Sequence, residues 1–483
     1  MRYTPAADAV KRRDLPRLQV DANAGCFVKP LKAYANVLRY RVNVAMRRRV
    51  VTNRPLVAYI EPTLFCNLAC PACPTGLKLD LRPRAAIAFD LFRAVIDEIG
   101  DYLFDLHVYN WGEPLLHKQT PEMVRYAASR GIRVQMSTNL SIALADDYLE
   151  RLVDSGLDTL VVSIDGATPE TYVHYRRRGD YSLVRRNMLR IQEAKRRLGR
   201  STPTVVAQFL VFGHNEHELD RVRAEYRDWG ADSLRIGTAG MPMEPYREGF
   251  EPPKNPEFDL YHPDHPWQTE TRRRLAEDRP CSWLYGVFLL NPNGKVSPCC
   301  GTAAESDDFA DYSPERGVSA AWNSERFRRA RALFTRVRGA TAGEPGTAAV
   351  ADVMRRFDGL TTGSLAGAEL ICQRCPIVFM QDTADAKVAD LARIQALAVV
   401  RRRSLRDLAA LVLMGLPVVN PDWLRAQCDP GSSREVATAR ALGIAMRAAE
   451  TLRSVGVAAF KAFDRSDRRR VLPGPLEPEQ LHR

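Results

Sequence analysis

At 483 residues, with 45% hydrophobic and 27% charged residues, the chain is long enough for a large core with appended pieces, and its composition excludes a disordered protein. The net charge of +12 falls in runs such as Arg47-Arg48-Arg49, Arg176-Arg177-Arg178, Arg401-Arg402-Arg403 and Arg468-Arg469-Arg470. They read as solvated faces, because no aromatic-interleaved nucleic-acid module accompanies them.

Residues 1–54 form a basic, partly helical segment with Leu31, Tyr34, Val37 and Leu38 at helical spacing. Short apolar runs follow at 57–61, 103–109, 132–137, 159–164, 204–211 and 233–236, separated by helical patterns at 89–99, 120–129, 145–155, 183–198 and 216–229. Strand and helix in alternation predict an α/β domain over 55–240 with parallel strands joined by crossover helices, either an open sheet or a barrel-like arc. In a barrel the chemistry sits at the C-terminal ends of the strands.

Beyond residue 240 the rhythm is lost. A Pro-rich linker leads into a cysteine-bearing domain at 275–380, of which 338–370 reads as loop, and 384–483 is a helical, Ala/Arg-rich C-terminal extension. The apolar stretch 408–419, interrupted by Gly415 and Pro417, predicts a buried helix with a break. No stretch reaches the roughly 18 apolar residues of a membrane span, and no apolar leader opens the chain. A cytoplasmic protein with no transmembrane segment and no nucleic-acid partner is expected.

Eight of the ten cysteines are grouped, which without a secretion signal argues for metal or cluster ligation before disulfides. Cys66, Cys70 and Cys73 stand in one loop directly after the first strand. Three thiolates on a four-iron cubane leave one iron open to chelate a small molecule, whereas a structural zinc wants a fourth ligand nearby. In the second group, Asn293-Gly294 is a hairpin signal that brings Cys299 back toward Cys281, and Cys372 and Cys375 complete four sulfurs. Spacing alone leaves a four-cysteine zinc site and a [4Fe-4S] cluster equally open there.

Over about residues 55 to 240 the sequence resembles the radical S-adenosylmethionine (SAM) superfamily. Its CxxxCxxC motif is Cys66, Cys70, Cys73, and its GGEP-like motif is Trp111-Gly112-Glu113-Pro114, with Trp111 in place of the first glycine and Ala72 where an aromatic residue often precedes the third cysteine. The resemblance implies a partial (β/α)6 TIM-like barrel, a SAM-binding [4Fe-4S] cluster, and a SAM pocket lined by Gly112, Glu113, Pro114, Thr138, Asn139, Ser163 and Asp165. The segment with Gly294-x4-Cys299 resembles the SPASM/twitch extension, which implies a single auxiliary [4Fe-4S] cluster on Cys281, Cys299, Cys372 and Cys375, with Cys300 the alternative to Cys299.

The implied activity is reductive cleavage of SAM to a 5′-deoxyadenosyl radical, abstraction of a substrate hydrogen, and oxidation or rearrangement of a small polar, carbohydrate-like metabolite. Modification of a peptide or protein is the alternative. An external one-electron reductant such as flavodoxin or ferredoxin is the implied partner. His107 and Tyr109 on the second strand and Arg235 on the sixth are weak catalytic candidates, because alternate strand residues point into a barrel.

Overall fold

The computed structural model describes residues 29–238, 252–259, 262, 280–333, 372, 383–402, 405–414, 419, 421–429 and 431–448. Residues 241–245 of the expected linker, the loop at 338–370 and Cys375 lie outside the described residues. The chain divides into two compact units, Met1–Lys387 and Val388–Arg483.

In the first unit, helix α1 (Leu31–Ala45) is followed by β1 (Val57–Ile60), α2 (Phe89–Ile99), β2 (Asp105–His107), α3 (Thr120–Ser129), β3 (Arg133–Thr138), α4 (Asp146–Val153) and β4 (Thr159–Ser163). Then come α5 (Pro169–Tyr175), α6 (Tyr181–Arg197), β5 (Thr204–Val211), α7 (Leu219–Glu225) and β6 (Ser233–Thr238). Each helix buries the face its spacing dictates; in α2 that face is Phe92, Val95, Ile96 and Ile99. Helices α2, α3, α4 and α6 pack one on the next in chain order.

Strands β1 to β6 pair in parallel with their neighbours in sequence, as five successive crossovers require. Helix α5 is absent from the predicted elements, although its start signal is strong: Thr168 and Thr171 form a capping box and Pro169 takes the first helical position. At seven residues it is too short to show a period.

The sheet does not end at β1. The hairpin of β7 (Val287–Leu290) and β8 (Lys295–Ser297) turns at Gly294, whose φ of +80° suits glycine, and β9 (Ala310–Asp311) follows. Strand β7 pairs in parallel with β1 from Val57↔Val287 to Ile60↔Leu290, so the sheet has nine strands in the order β6-β5-β4-β3-β2-β1-β7-β8-β9. The cysteine-bearing segment thereby continues the sheet that carries the first cysteine loop.

Helix Glu325–Ala332 is anchored by Arg331, which is fully buried. Its guanidinium donates to the carbonyls of Leu284, Arg49 and Trp322 at 2.8–3.0 Å. Burial pulls its pKa down to about 9. Helices Thr383–Arg402, Leu405–Leu413 and Pro421–Ala426 and a helix at 433–448 make up the C-terminal region. Of the helix with a break expected at 408–419, the break at Gly415 and Pro417 lies outside the described residues, and the described part is amphipathic: Ala410 and Leu411 are buried, but Leu408 and Val412 are exposed. Among the described residues no helix is long and apolar enough to cross a membrane.

Candidate active site

The C-terminal ends of β1 to β4 each deliver part of one site. Directly after β1, Glu61 is 1% exposed, and its Oε1 accepts the backbone N–H groups of Trp111 (2.5 Å) and Gly112 (2.6 Å). The loop after β2 therefore hangs on the residue that leads into the cysteine loop. Only glycine fits at 112, because a Cβ would stand 1.8 Å from the Thr63 carbonyl oxygen. Burial pushes the Glu61 carboxyl up to about 7, against the two amide bonds and the charge of Arg82.

Cys66, Cys70 and Cys73 are free thiols. The loop winds through Cys73 N–H to the Cys70 carbonyl (3.3 Å) and Leu77 N–H to the Cys73 carbonyl (2.9 Å). Gly76 lies so close to Cys70 that a Cβ would meet its backbone at 2.6 Å. Cys70 is buried with Leu68, Tyr175 and Phe212, and Cys66, Ala72, Cys73 and Leu210 pack against this group. Burial pushes the Cys66 thiol up to about 12, and Glu113, Cys70 and Cys73 add to the effect, which puts the three sulfurs within electrostatic reach of one another.

Three tethers fix this loop. Ala69 N–H donates to the Arg177 carbonyl (3.0 Å) and Asn67 Nδ2 to the Ser141 carbonyl (2.7 Å). Asn139 Nδ2, at the end of β3, donates to Asn67 Oδ1 (3.0 Å) and lies 3.7 Å from Cys66 Sγ.

Glu113 is buried and its carboxyl is raised, first by burial. Oε1 accepts from Thr138 Oγ1 (2.6 Å) and Leu115 N–H (3.1 Å), and Oε2 from Asn139 N–H (2.7 Å). A carboxylate takes about four hydrogen bonds, so one acceptor direction remains for a ligand. Pro114 opens the turn Pro114–Leu116 and its carbonyl accepts from Thr120 Oγ1. At the end of β4, Ser163 is buried and Asp165 is fully buried; Asp165 accepts from Arg176 Nε (2.5 Å) and Leu210 N–H (2.8 Å). Arg176 Nη1 in turn stands 3.9 Å from Cys70 Sγ.

A second group lines the sheet. Tyr59, His107 and Gln135 lie side by side in register on β1, β2 and β3. The Tyr59 and His107 rings stack at 4.2 Å and Trp283 approaches Tyr59 at 5.0 Å. Tyr109 Oη is 3.3 Å from both His107 Nδ1 and Gln135 Nε2, and Arg235, exposed on β6, acts on Tyr109 electrostatically.

Of the second cysteine group, Cys281, Cys299 and Cys372 are half-buried and form no disulfide. The Leu284 N–H donates to the Cys281 carbonyl, and Cys299 Sγ is 4.0 Å from Thr302 Oγ1. Cys300 is within electrostatic reach of Tyr59 and Tyr109. Among the described residues no three Cys, His, Asp or Glu side chains stand close enough to hold a single metal ion.

The Cys299 segment is nonetheless tied to the first loop: Trp111 Nε1 donates to the Thr302 carbonyl (3.0 Å), Glu305 N–H to the Leu81 carbonyl (2.8 Å), and Arg82 forms a two-pronged buried ion pair with Asp308. Trp111, the departure from GGEP, thus has a structural task. Sequence reasoning passed over Glu61, Arg82, Gln135 and Arg176. Arg176 was hidden inside an arginine run, and the signal that separates it is its distance of one short helix from Asp165.

A parallel α/β fold with polar groups from four strand ends gathered around three free thiols defines an enzyme whose chemistry sits at the C-terminal mouth of its sheet. The radical SAM superfamily model matches residues 60–225, about a third of the chain and the part that holds the three thiols; a [4Fe-4S] cluster and SAM are the cofactors of that superfamily. The chain is 33% identical over 126 residues to an AdoMet-dependent heme synthase of Methanosarcina barkeri, a match covering 26% of this chain and 36% of the relative. It is 28% identical over 305 residues to a PqqA peptide cyclase of Bradyrhizobium diazoefficiens, covering 57% of this chain and 75% of the relative. Among solved structures, Streptococcus suis SuiB bound to S-adenosylmethionine aligns at a TM-score of 0.47 and 13% identity, over 62% of this chain and 73% of that one.

Proposed function

We propose that Cys66, Cys70 and Cys73 hold the SAM-binding [4Fe-4S] cluster and that the chain uses radical chemistry to oxidise or rearrange a substrate C–H centre. The observation that carries this is the set of three free thiols on one loop, in mutual electrostatic reach and walled by Leu68, Tyr175 and Phe212. That donor set suits a cubane with one open iron. When bound, the reduced cluster supplies one electron to the SAM sulfonium, releasing methionine and a 5′-deoxyadenosyl radical, and a second cluster offers an acceptor for the electron a substrate radical gives up.

The chain's own residues position and enclose. Glu113 offers its remaining acceptor direction to the SAM amino group, held in place by Thr138 and Asn139. Gly112 and Pro114 set the path of that loop, and Ser163 and Asp165 line the far side, with Asp165 locked to Arg176. Asn139 orients the first thiol. Packing of Leu68, Phe212 and Tyr175 keeps water from Cys70.

Cys281, Cys299, Cys372 and Cys375 hold an auxiliary [4Fe-4S] cluster. What supports this is the fastening of the Cys299 segment to the first loop through Trp111 and Arg82. His107 and Tyr109, which share a hydrogen bond in the interior row, and Arg235 are the substrate-facing candidates. The leading substrate is a small polar, carbohydrate-like metabolite, matching the polar Tyr109–Gln135 pair. The long match to a PqqA peptide cyclase favours a second reading, in which the same chemistry modifies a peptide.

Anaerobically reconstituted protein given dithionite and SAM should release 5′-deoxyadenosine, and replacing Cys66, Cys70 and Cys73 together by Ala should abolish it. Release by that variant would refute the assignment. Isotope transfer from deuterated candidate sugars or peptides into 5′-deoxyadenosine then separates the two substrate classes.

A further inference from the structure

We propose that Arg176 tunes the reduction potential of the first iron–sulfur centre, as a positioning residue whose cation beside the Cys70 sulfur makes that centre easier to reduce. The inference rests on the proposed function, in which Cys70 is one of the three ligands.

The guanidinium is fixed by several contacts at once. Its Nε donates to Asp165 Oδ2 at 2.5 Å, its carbon lies 5.2 Å from the centre of the Tyr175 ring, and Nη1 stands 3.9 Å from Cys70 Sγ. Asp165 is itself held, because its Oδ1 accepts the Leu210 N–H at 2.8 Å and its carbonyl accepts Asn215 Nδ2 at 3.0 Å. Backbone bonds close the frame. Arg176 N–H donates to the Tyr172 carbonyl (2.8 Å), and the next carbonyl, that of Arg177, accepts the N–H of Ala69, the residue before Cys70 (3.0 Å). The cation and the thiol therefore sit on two segments bonded to each other, and the fold sets their approach.

Burial gives the cation its reach. The Arg176 side chain is 14% exposed and that of Asp165 fully buried, so solvent and salt screen the interaction weakly. Asp165 balances the charge of the pair, yet at Cys70 the guanidinium acts more strongly than the carboxylate. The side-chain donor beside Cys66, Asn139 Nδ2 at 3.7 Å from Sγ, is neutral and carries no such charge. Reduction adds one negative charge to an iron–sulfur centre, and local charge and hydrogen bonds to the ligand sulfurs set its potential. A fixed cation beside one sulfur favours the reduced state over the oxidised one. The electron balance is simple: an external reductant loses one electron, the centre gains it, and no bond forms or breaks.

The test is a redox titration of anaerobically reconstituted holoenzyme without SAM, following the electron paramagnetic resonance signal that SAM perturbs in a parallel sample. Arg176→Gln should lower the midpoint until the reduced-to-oxidised ratio at a fixed potential falls about tenfold or more, a shift of about 59 mV for one electron. Arg176→Lys, which keeps the charge, should shift it less. Should Arg176→Gln fail to fold around the unpaired Asp165, Asp165→Asn/Arg176→Gln leaves neither charge alone, and its midpoint should fall in the same direction. Unchanged midpoints in the Gln-bearing variants would overturn the proposal, and weaker SAM binding without a change in midpoint would make Arg176 a SAM contact and overturn it as well. A wild-type protein with no SAM-responsive signal would instead sink the underlying radical SAM assignment, and this inference with it.

Discussion

Glu61 is the residue whose environment most clearly departs from what its type prefers. A carboxyl raised from 4.5 to about 7 by burial binds its proton more tightly when folded. Its contribution to stability is therefore fully present below about pH 4 and is lost as pH rises through about 7, a span worth about 3 kcal/mol. Wild-type melting temperature should fall between pH 5 and pH 8, and Glu61→Gln should flatten that fall; parallel curves for the two proteins would contradict it. Asp165 makes the opposite kind of demand. Asp165→Asn leaves the half-buried Arg176 guanidinium without its counter-charge, which should cost roughly 2 kcal/mol in denaturant unfolding. Neither role was legible in the sequence. The placement of the three cysteines on one loop after β1 was, because their spacing requires it, whereas Glu113 was singled out only through the GGEP-like motif of the resemblance. Arg176 was not, since a run of three arginines looks alike on paper while the fold half-buries the first and exposes the other two.

At the level of elements, what repeats was readable and what is short or borrowed was not. Strand β5 and helices α2 and α3 coincide with their predicted spans, because each carries a full apolar period. Helix α5 escaped for want of length, and α7 is shorter than its pattern because a 3-10 turn at Glu216–Glu218 takes up the first residues. The pairing of β7 with β1 has no local signature at all: it joins residues more than two hundred positions apart. The loop after β2 depends on a similar long reach, since Gly112 leans on the Thr63 carbonyl. Gly112→Ala must push these backbones apart, so it should cost on the order of 2 kcal/mol in thermal stability and lower SAM affinity, measured by calorimetric titration. Unaltered binding would mean that the loop tolerates the shift.

For the whole molecule the decisive quantity is the metal inventory. Two cubanes predict about eight irons per chain in anaerobically reconstituted protein, with a SAM-perturbed electron paramagnetic resonance signal. Cys281→Ala/Cys299→Ala should lower the iron by about half and still release 5′-deoxyadenosine. About four irons with one zinc would make the second site structural and favour a redox-neutral reaction.

The nine-stranded sheet also settles what guards the β1 edge. A partial barrel that stopped at β6 would present Val57, Ala58, Tyr59 and Ile60, all buried in the folded chain, as an open template for strands of other molecules. Strand β7 occupies that template, and β8 and β9 end the sheet in a three-residue and a two-residue strand with charged Lys295 and Asp311 paired across them. The cysteine-bearing segment is in this sense a solubility device. A chain shortened to residue 240 should self-associate through β1 whether or not its three thiols are loaded.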